Sequence, residues 1–242
     1  MKALILAGGR GSRLEPLTDE TSKCMLPLAG RPLVEYSLEN ARRAGVDELV
    51  LVVGHLAEQI INAYGNSYHG LPIRYVIQWE QRGLVHAIEC AHKTIGDDDF
   101  MLFLADEILV DPKHREMIQQ FDSEGLVVLC GVIETEDRAQ ISKTYALICG
   151  ADGSIHRLIE KPPRPMNDIM GTGNCVFSNR IFEYLEATPI NQQRGERELP
   201  DLIQCAIDDG QPVKRFFVGS RYVNVNTRDE IGRAEDALGP GA

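Results

Sequence analysis

The chain has 242 residues, 43% of them hydrophobic, enough to bury a sizeable core without a disulfide or metal staple. A net charge of -11, from 36 acidic against 25 basic residues, argues against non-specific binding to nucleic acid. No apolar run approaches the ~20 residues of a membrane span, Lys2–Ala7 is too short for a signal peptide, and the six cysteines show no CxxC spacing. Free thiols in a cytoplasmic protein with no membrane partner are therefore expected.

The first half alternates short β-rich runs with amphipathic helical patterns. Ala3–Ala7 reads as a buried strand. A helix follows, with Pro32 in its first turn, Val34, Leu38 and Ala41 on one face and Gly45 past its end. Glu48–Val53 is a second strand, apolar without alternation, and Leu56, Ile60 and Ala63 then repeat with helical spacing. Ile73–Ile77 is a third strand, Leu84, Ile88, Ala91 and Ile95 mark a third helix, and Phe100–Leu104 is a fourth strand. Continuous apolar strands alternating with helices imply a mostly parallel Rossmann-like sheet covered on both faces.

After about residue 125 the rhythm changes. Leu126–Ile133 and Thr144–Ile159 predict longer strands, the latter broken by a hairpin turn at Ala151–Ser154. Strands near 171–178 and 213–218 surround helices near 179–187 and 198–209. Thr227–Leu238 reads as a closing helix, and Gly239–Ala242 should fray. One α/β domain over 1–238 is expected, with mixed strands lying over the carboxyl edge of the first half.

Such sheets bind ligands outside the carboxyl ends of their strands, where Gly8–Leu14 would lie. Glycines let backbone N–H groups face an anion, and Arg13 adds a charge suited to two phosphate oxygens. The loop is neither a Walker A motif, having no Gly-Lys pair, nor a dinucleotide fingerprint, whose third glycine is replaced by Leu14. Gly8-Gly9-Arg10-Gly11-Ser12-Arg13-Leu14, with Pro16-Leu17-Thr18 and Lys23, resembles the signature of the sugar-1-phosphate nucleotidylyltransferases. Further motifs agree in order: Gln78 with Gly83-Leu84, Asp106 after the fourth strand, Glu160-Lys161-Pro162, Gly171–Asn174, Arg194-Gly195-Glu196-Arg197-Glu198, and Tyr222–Thr227.

The resemblance implies an α/β nucleotidyltransferase fold similar to glycosyltransferase A. Residues 1–125 would form a nucleotide-binding half, 126–226 an acceptor-binding half and 227–238 a C-terminal helix. Leu6, Ala7, Gly8, Gly9, Gly11, Ser12, Arg13, Gln78 and Gly83 would hold a nucleoside triphosphate, Gln78 reading its base. Glu160, Lys161, Gly171 and Asn174 would hold a sugar-1-phosphate or related phosphate. Asp106 and Asn224 would hold Mg²⁺, Asn224 standing where many members carry aspartate, and Glu107 could share that role. Asn226 replaces a glycine, which puts the local backbone geometry in question. Arg13, Lys23 and Lys161 are the catalytic cations, serving an in-line displacement that releases pyrophosphate.

Similar enzymes are often oligomeric; no stripe in this sequence identifies an interface. No hexapeptide repeat follows, so no fused acetyltransferase is expected. Two other readings stay open: a cytidylyltransferase acting on a small non-sugar phosphate or phosphonate, and a non-catalytic nucleotide-sensing subunit. A glycosyltransferase would need Asp-x-Asp where Ala105-Asp106-Glu107 stands.

Overall fold

The computed structural model describes residues 1–239, so three of the four residues expected to fray lie outside the described residues. At its centre the opening strand Lys2–Ala7 pairs in parallel with Glu48–Val53 on one side and Phe100–Leu104 on the other. Leu71–Ile77 adds to Glu48–Val53, again in parallel. The chain thus builds outward in one direction and then crosses back over its first strand. The resulting topological switch point opens a crevice at the carboxyl ends of these strands.

Strand alternation explains how both faces are buried. Ala3, Ile5 and Ala7 enter one apolar cluster with Val34, Leu38 and Ala41 of the helix Leu33–Ala44. Leu4 enters the opposite cluster with Ile88, Ala91 and Ile95 of the helix Leu84–Ile95. The first of these helices stops at Gly45, whose φ of 89° suits a glycine. All six cysteines are free thiols.

The second half does not lie over the first, as the sequence reading expected, but continues its sheet sideways. Ile169–Phe177 runs antiparallel to Phe100–Leu104, then pairs with both Val128–Glu134 and the hairpin strand Tyr145–Cys149. Tyr145–Cys149 and Ile155–Glu160 form the predicted hairpin, and Val213–Phe217 joins Val128–Glu134 in parallel. Ten strands therefore share one sheet. The helix expected near 179–187 is only a six-residue 3-10 segment, Asn179–Tyr184. Helix Leu199–Asp208 stands as predicted.

Several elements escaped the sequence reading. The helix His114–Glu124 packs on the sheet through Met117 and Phe121. The four-residue strands Glu107–Val110 and Arg221–Asn224 pair antiparallel, with Asn224 opposite Glu107. The closing helix Arg228–Leu238 is capped by Thr227, whose side chain accepts from the Glu230 N–H, while Glu230 accepts from the Asn226 N–H. This reciprocal arrangement of a Thr-x-x-Glu start fixes the backbone at Asn226.

Candidate functional site

Each of the four parallel strands delivers part of one crevice. Gly8–Arg13 follow Ala7, Gly54 follows Val53, Gln78 follows Ile77, and Asp106 stands two residues after Leu104. The loops pack tightly enough to require glycine at two points. A Cβ on Gly54 would come within 2.7 Å of the Gly8 carbonyl oxygen, and Gly11 takes φ 70° with Lys23 directly against it.

The crevice holds two adjoining cavities. One, of about 480 Å³, is lined by Leu6, Gly8, Gly9, Gly11, Ser12, Arg13, Lys23, Gln78, Gly83 and Asp106. The other, of about 250 Å³, is lined by Glu160, Lys161, Gly171, Arg194, Glu198 and Asn224. Leu84, Leu104 and Glu196 belong to both walls. A broader opening of about 810 Å³ reaches Arg13, Lys161 and Asn224 from the side of the closing helix.

The charged groups meet at the seam. Lys23, almost wholly buried, donates to Asp106 Oδ2 at 2.5 Å and to Asn226 Oδ1 at 2.7 Å. Asn226 in turn donates to Asn224 Oδ1 at 2.6 Å. The backbone brings these together: Val225 N–H donates to the Asp106 carbonyl, extending the short antiparallel ladder past Glu107 and Asn224. Asn226 adopts no positive φ, so this position does not require the glycine of the signature. Arg13 is exposed and makes no hydrogen bond or ion pair with another residue among the described residues. It is a free cation at the mouth of the first cavity.

In the second cavity, Glu160 accepts from Arg194 at 2.9 Å and pairs with Lys161 at 3.1 Å; Arg194 also pairs with Glu198 at 2.9 Å. Burial pushes the Glu198 carboxyl up, with the Glu160 charge adding to the effect. Lys161 holds φ 44°, an uncommon conformation for a side-chain-bearing residue, directly before Pro162. The Tyr145 ring lies directly against Gly171, where a Cβ would overlap it at 2.0 Å.

Two expected positions fall elsewhere. Ala7 does not line the nucleotide cavity: strand alternation turns its methyl into the core, one residue after Leu6 faces the crevice. Asn174 does not line the acceptor cavity. It donates to Glu107 Oε2 at 2.8 Å and accepts from His114 at 2.9 Å, inside the protein. Glu107 touches the wall of the second cavity, but its carboxylate is taken up by internal donors, accepting from Gly173 N–H, Asn174 and Tyr222 O–H. Burial pushes its carboxyl up to about 8 against the pull of these donors.

Gln81, which donates to the Gly8 carbonyl at 2.8 Å, was not foreseen. Nor were the roles of Arg194, Glu196 and Glu198 as cavity walls. The cluster of charges around Gly195 carried that signal. Cys24 lines the first cavity, yet burial pushes its thiol up to about 12, so it is no nucleophile.

Among the described residues no group of three or more His, Cys, Asp or Glu is gathered in the manner of an all-protein metal site. Asp106, in the turn before Glu107–Val110, and Asn224, at the end of the strand paired with it, do offer hard oxygen donors. That set suits Mg²⁺, which takes one or two protein oxygens and completes its shell with phosphate and water.

A family model described as nucleotidyl transferase matches residues 2–223. The chain belongs to the nucleotidyl transferase family. This nucleotidyl transferase chain is 34% identical over 242 residues to the low-salt glycan biosynthesis nucleotidyltransferase Agl11 of Haloferax volcanii, covering 98% of itself and 64% of Agl11. It is 32% identical to the UTP–glucose-1-phosphate uridylyltransferase AglF of the same organism, covering 98% of itself and 96% of AglF. With a glucose-1-phosphate thymidylyltransferase of Streptomyces griseus it shares 34% identity, covering 96% of itself and 65% of that protein. The chain thus spans under two thirds of two of these relatives and nearly all of the third. Its fold matches a UDP-glucose pyrophosphorylase complexed with UDP-glucose, at TM-score 0.86 and 21% identity over 98% of this chain and 97% of that one. A UTP-bound UGPase from Acinetobacter baumannii gives TM-score 0.83 at 21% identity, over 97% and 91%. No helix among the described residues is long and apolar enough to cross a membrane.

Proposed function

We propose that this chain transfers a nucleoside monophosphate from a nucleoside triphosphate to a sugar-1-phosphate, releasing pyrophosphate. The observation that carries this reading is the pair of adjoining cavities meeting where Asp106 stands on one wall and Asn224 on the other. The triphosphate occupies the glycine-rich cavity and the acceptor the cavity walled by Glu160 and Lys161. The relatives named for glucose-1-phosphate support a hexose-1-phosphate as acceptor.

A non-bridging oxygen of the acceptor phosphate attacks the α-phosphorus. The bond to the β-phosphate oxygen breaks in line, and pyrophosphate leaves. The nucleophile is already anionic at neutral pH, so the protein needs no general base. Its task is to bring two anions together within a chain of net charge -11. Arg13, free of internal partners, takes the β- and γ-phosphates and the charge that develops on departure. Lys23, backed by Asp106 and Asn226, presents a fixed ammonium at the seam. Lys161 holds the acceptor phosphate, and Glu160, oriented by Arg194, accepts from its hydroxyls. Asp106 and Asn224 would hold Mg²⁺, which supplies charge neutralisation at the α-phosphate.

The test is pyrophosphate release with Mg²⁺, across nucleoside triphosphates paired with glucose-1-phosphate, other sugar-1-phosphates and choline phosphate. Release with a sugar-1-phosphate is expected. Release only with a non-sugar phosphate moves the assignment to another acceptor class, and silence in all pairs overturns it.

A further inference from the structure

Gln78 is buried, and its amide nitrogen has two partners: the Gly83 carbonyl oxygen at 3.2 Å and His86 Nδ1 at 3.1 Å. A carbonyl oxygen only accepts, so the amide nitrogen must face it, and the amide oxygen then turns to Gly8 and the nucleotide cavity. His86 sees donors on both sides, because Arg82 Nη2 lies 2.9 Å from its Nε2. A neutral imidazole accepts at one nitrogen only. Were that nitrogen Nε2, a buried Gln78 N–H would lose its partner, at a cost of about 1–3 kcal/mol. Arg82 is exposed and can turn to water, while Cys90 Sγ, 3.6 Å from Nε2, can take that proton. The arrangement that satisfies the buried group has Nδ1 accepting from Gln78.

With the amide nitrogen occupied twice, Gln78 offers the nucleotide an acceptor and no donor. Uracil, thymine and guanine carry hydrogen on the ring nitrogen of their pairing edge; cytosine and adenine carry a lone pair there. We propose that His86 is a positioning residue for base selectivity. The Gly83 carbonyl sets the amide oxygen-first, and His86, by occupying its second N–H, leaves the site no donor, so that it takes a base with a ring N–H and turns away cytosine and adenine. This inference rests on the reading of the larger cavity as the nucleotide site.

The test uses Trp79, the one tryptophan, which adjoins Gln78 and is 86% exposed, so that its fluorescence reports binding without turnover. UTP should bind the wild type at least roughly tenfold more tightly than CTP, the discrimination one buried hydrogen bond provides. His86→Phe keeps a flat ring and removes both nitrogens, and should bring the two affinities within about threefold of each other. His86→Leu is the second apolar variant, read in its place if the Phe variant loses the wild-type circular dichroism. His86→Asn, whose Oδ1 can stand where Nδ1 stood, should restore the wild-type ratio.

A wild type that binds CTP as well as UTP overturns the proposal, as does an apolar variant that weakens both equally. Pyrophosphate release across the same panel of acceptor phosphates, run in parallel, separates the two readings. Selective binding without release removes the reaction and leaves His86 its role. Equal release from both nucleotides does the reverse. If no triphosphate perturbs Trp79 or competes for the site, both fall.

Discussion

At the scale of single residues, the site is a problem in charge. Asp106 brings the reacting region a negative charge that repels phosphate, and Lys23 covers it at 2.5 Å. Asp106→Asn keeps the shape and removes the anion that orders Lys23 and offers the hard oxygen for Mg²⁺. Its kcat should fall by about a hundredfold or more, with an unchanged circular dichroism spectrum; near-normal turnover at saturating Mg²⁺ would refute the role. Arg13 is the opposite case, a cation with no internal partner among the described residues. If it acts mainly on the departing pyrophosphate, Arg13→Ala should lower kcat by about a hundredfold with KM for the nucleotide within a few-fold. Steady-state kinetics distinguishes this from a rise in KM alone, which would make Arg13 a ground-state binding residue.

At the scale of elements, short pieces of backbone decide what the site residues can do. The ladder between Glu107–Val110 and Arg221–Asn224 sets Asn224 opposite Glu107, next to Asp106, across nearly half the chain. Beneath it lies a buried polar chain in which His114 donates to Asn174 and Asn174 donates to Glu107. Burial pushes the His114 imidazole down to about 4, from an ordinary value of 6.5. The sign follows from proton counting: the unfolded chain binds the proton at a higher pH than the folded one. The stabilisation is therefore present above pH 6.5 and is lost as pH falls toward 4, by about 3 kcal/mol from this group. Urea unfolding between pH 4.5 and 7 should show stability rising less with pH, or falling more, for His114→Gln than for the wild type. Glu107, present in both, contributes with the opposite sign and leaves the difference between the two proteins as the quantity to read. Equal slopes would mean that His114 titrates normally in the folded state.

At the scale of the whole molecule, the two halves share hydrogen bonds rather than a hinge. Ile169–Phe177 supplies the neighbour of Phe100–Leu104, so a fragment of residues 1–125 would leave a central apolar strand without a partner on one side. That fragment should be unfolded or aggregated when expressed alone, and the full chain should unfold in one transition. Far-ultraviolet and near-ultraviolet circular dichroism curves in urea should coincide. A well-folded fragment, or two separated transitions, would show that the halves are independent units.

The sequence by itself determined the parallel half of this protein, because its signals are local. Continuous apolar strands, helical spacing at Val34, Leu38 and Ala41, and glycines at Gly8, Gly11 and Gly45 each act through neighbours a few residues away. The loop Gly8–Arg13 and the motif Glu160-Lys161-Pro162 were legible for the same reason. Tertiary structure alone decided the sideways growth of the sheet, since that depends on which edge accepts Ile169–Phe177. It also decided that Asn174 faces inward and takes up the Glu107 carboxylate, because a one-residue step along a strand reverses the side a residue takes. The bonds joining Lys23 to Asp106 and Asn226 span 83 and 203 residues of chain. No local pattern encodes such a contact; it exists only once the strands that carry its ends lie side by side.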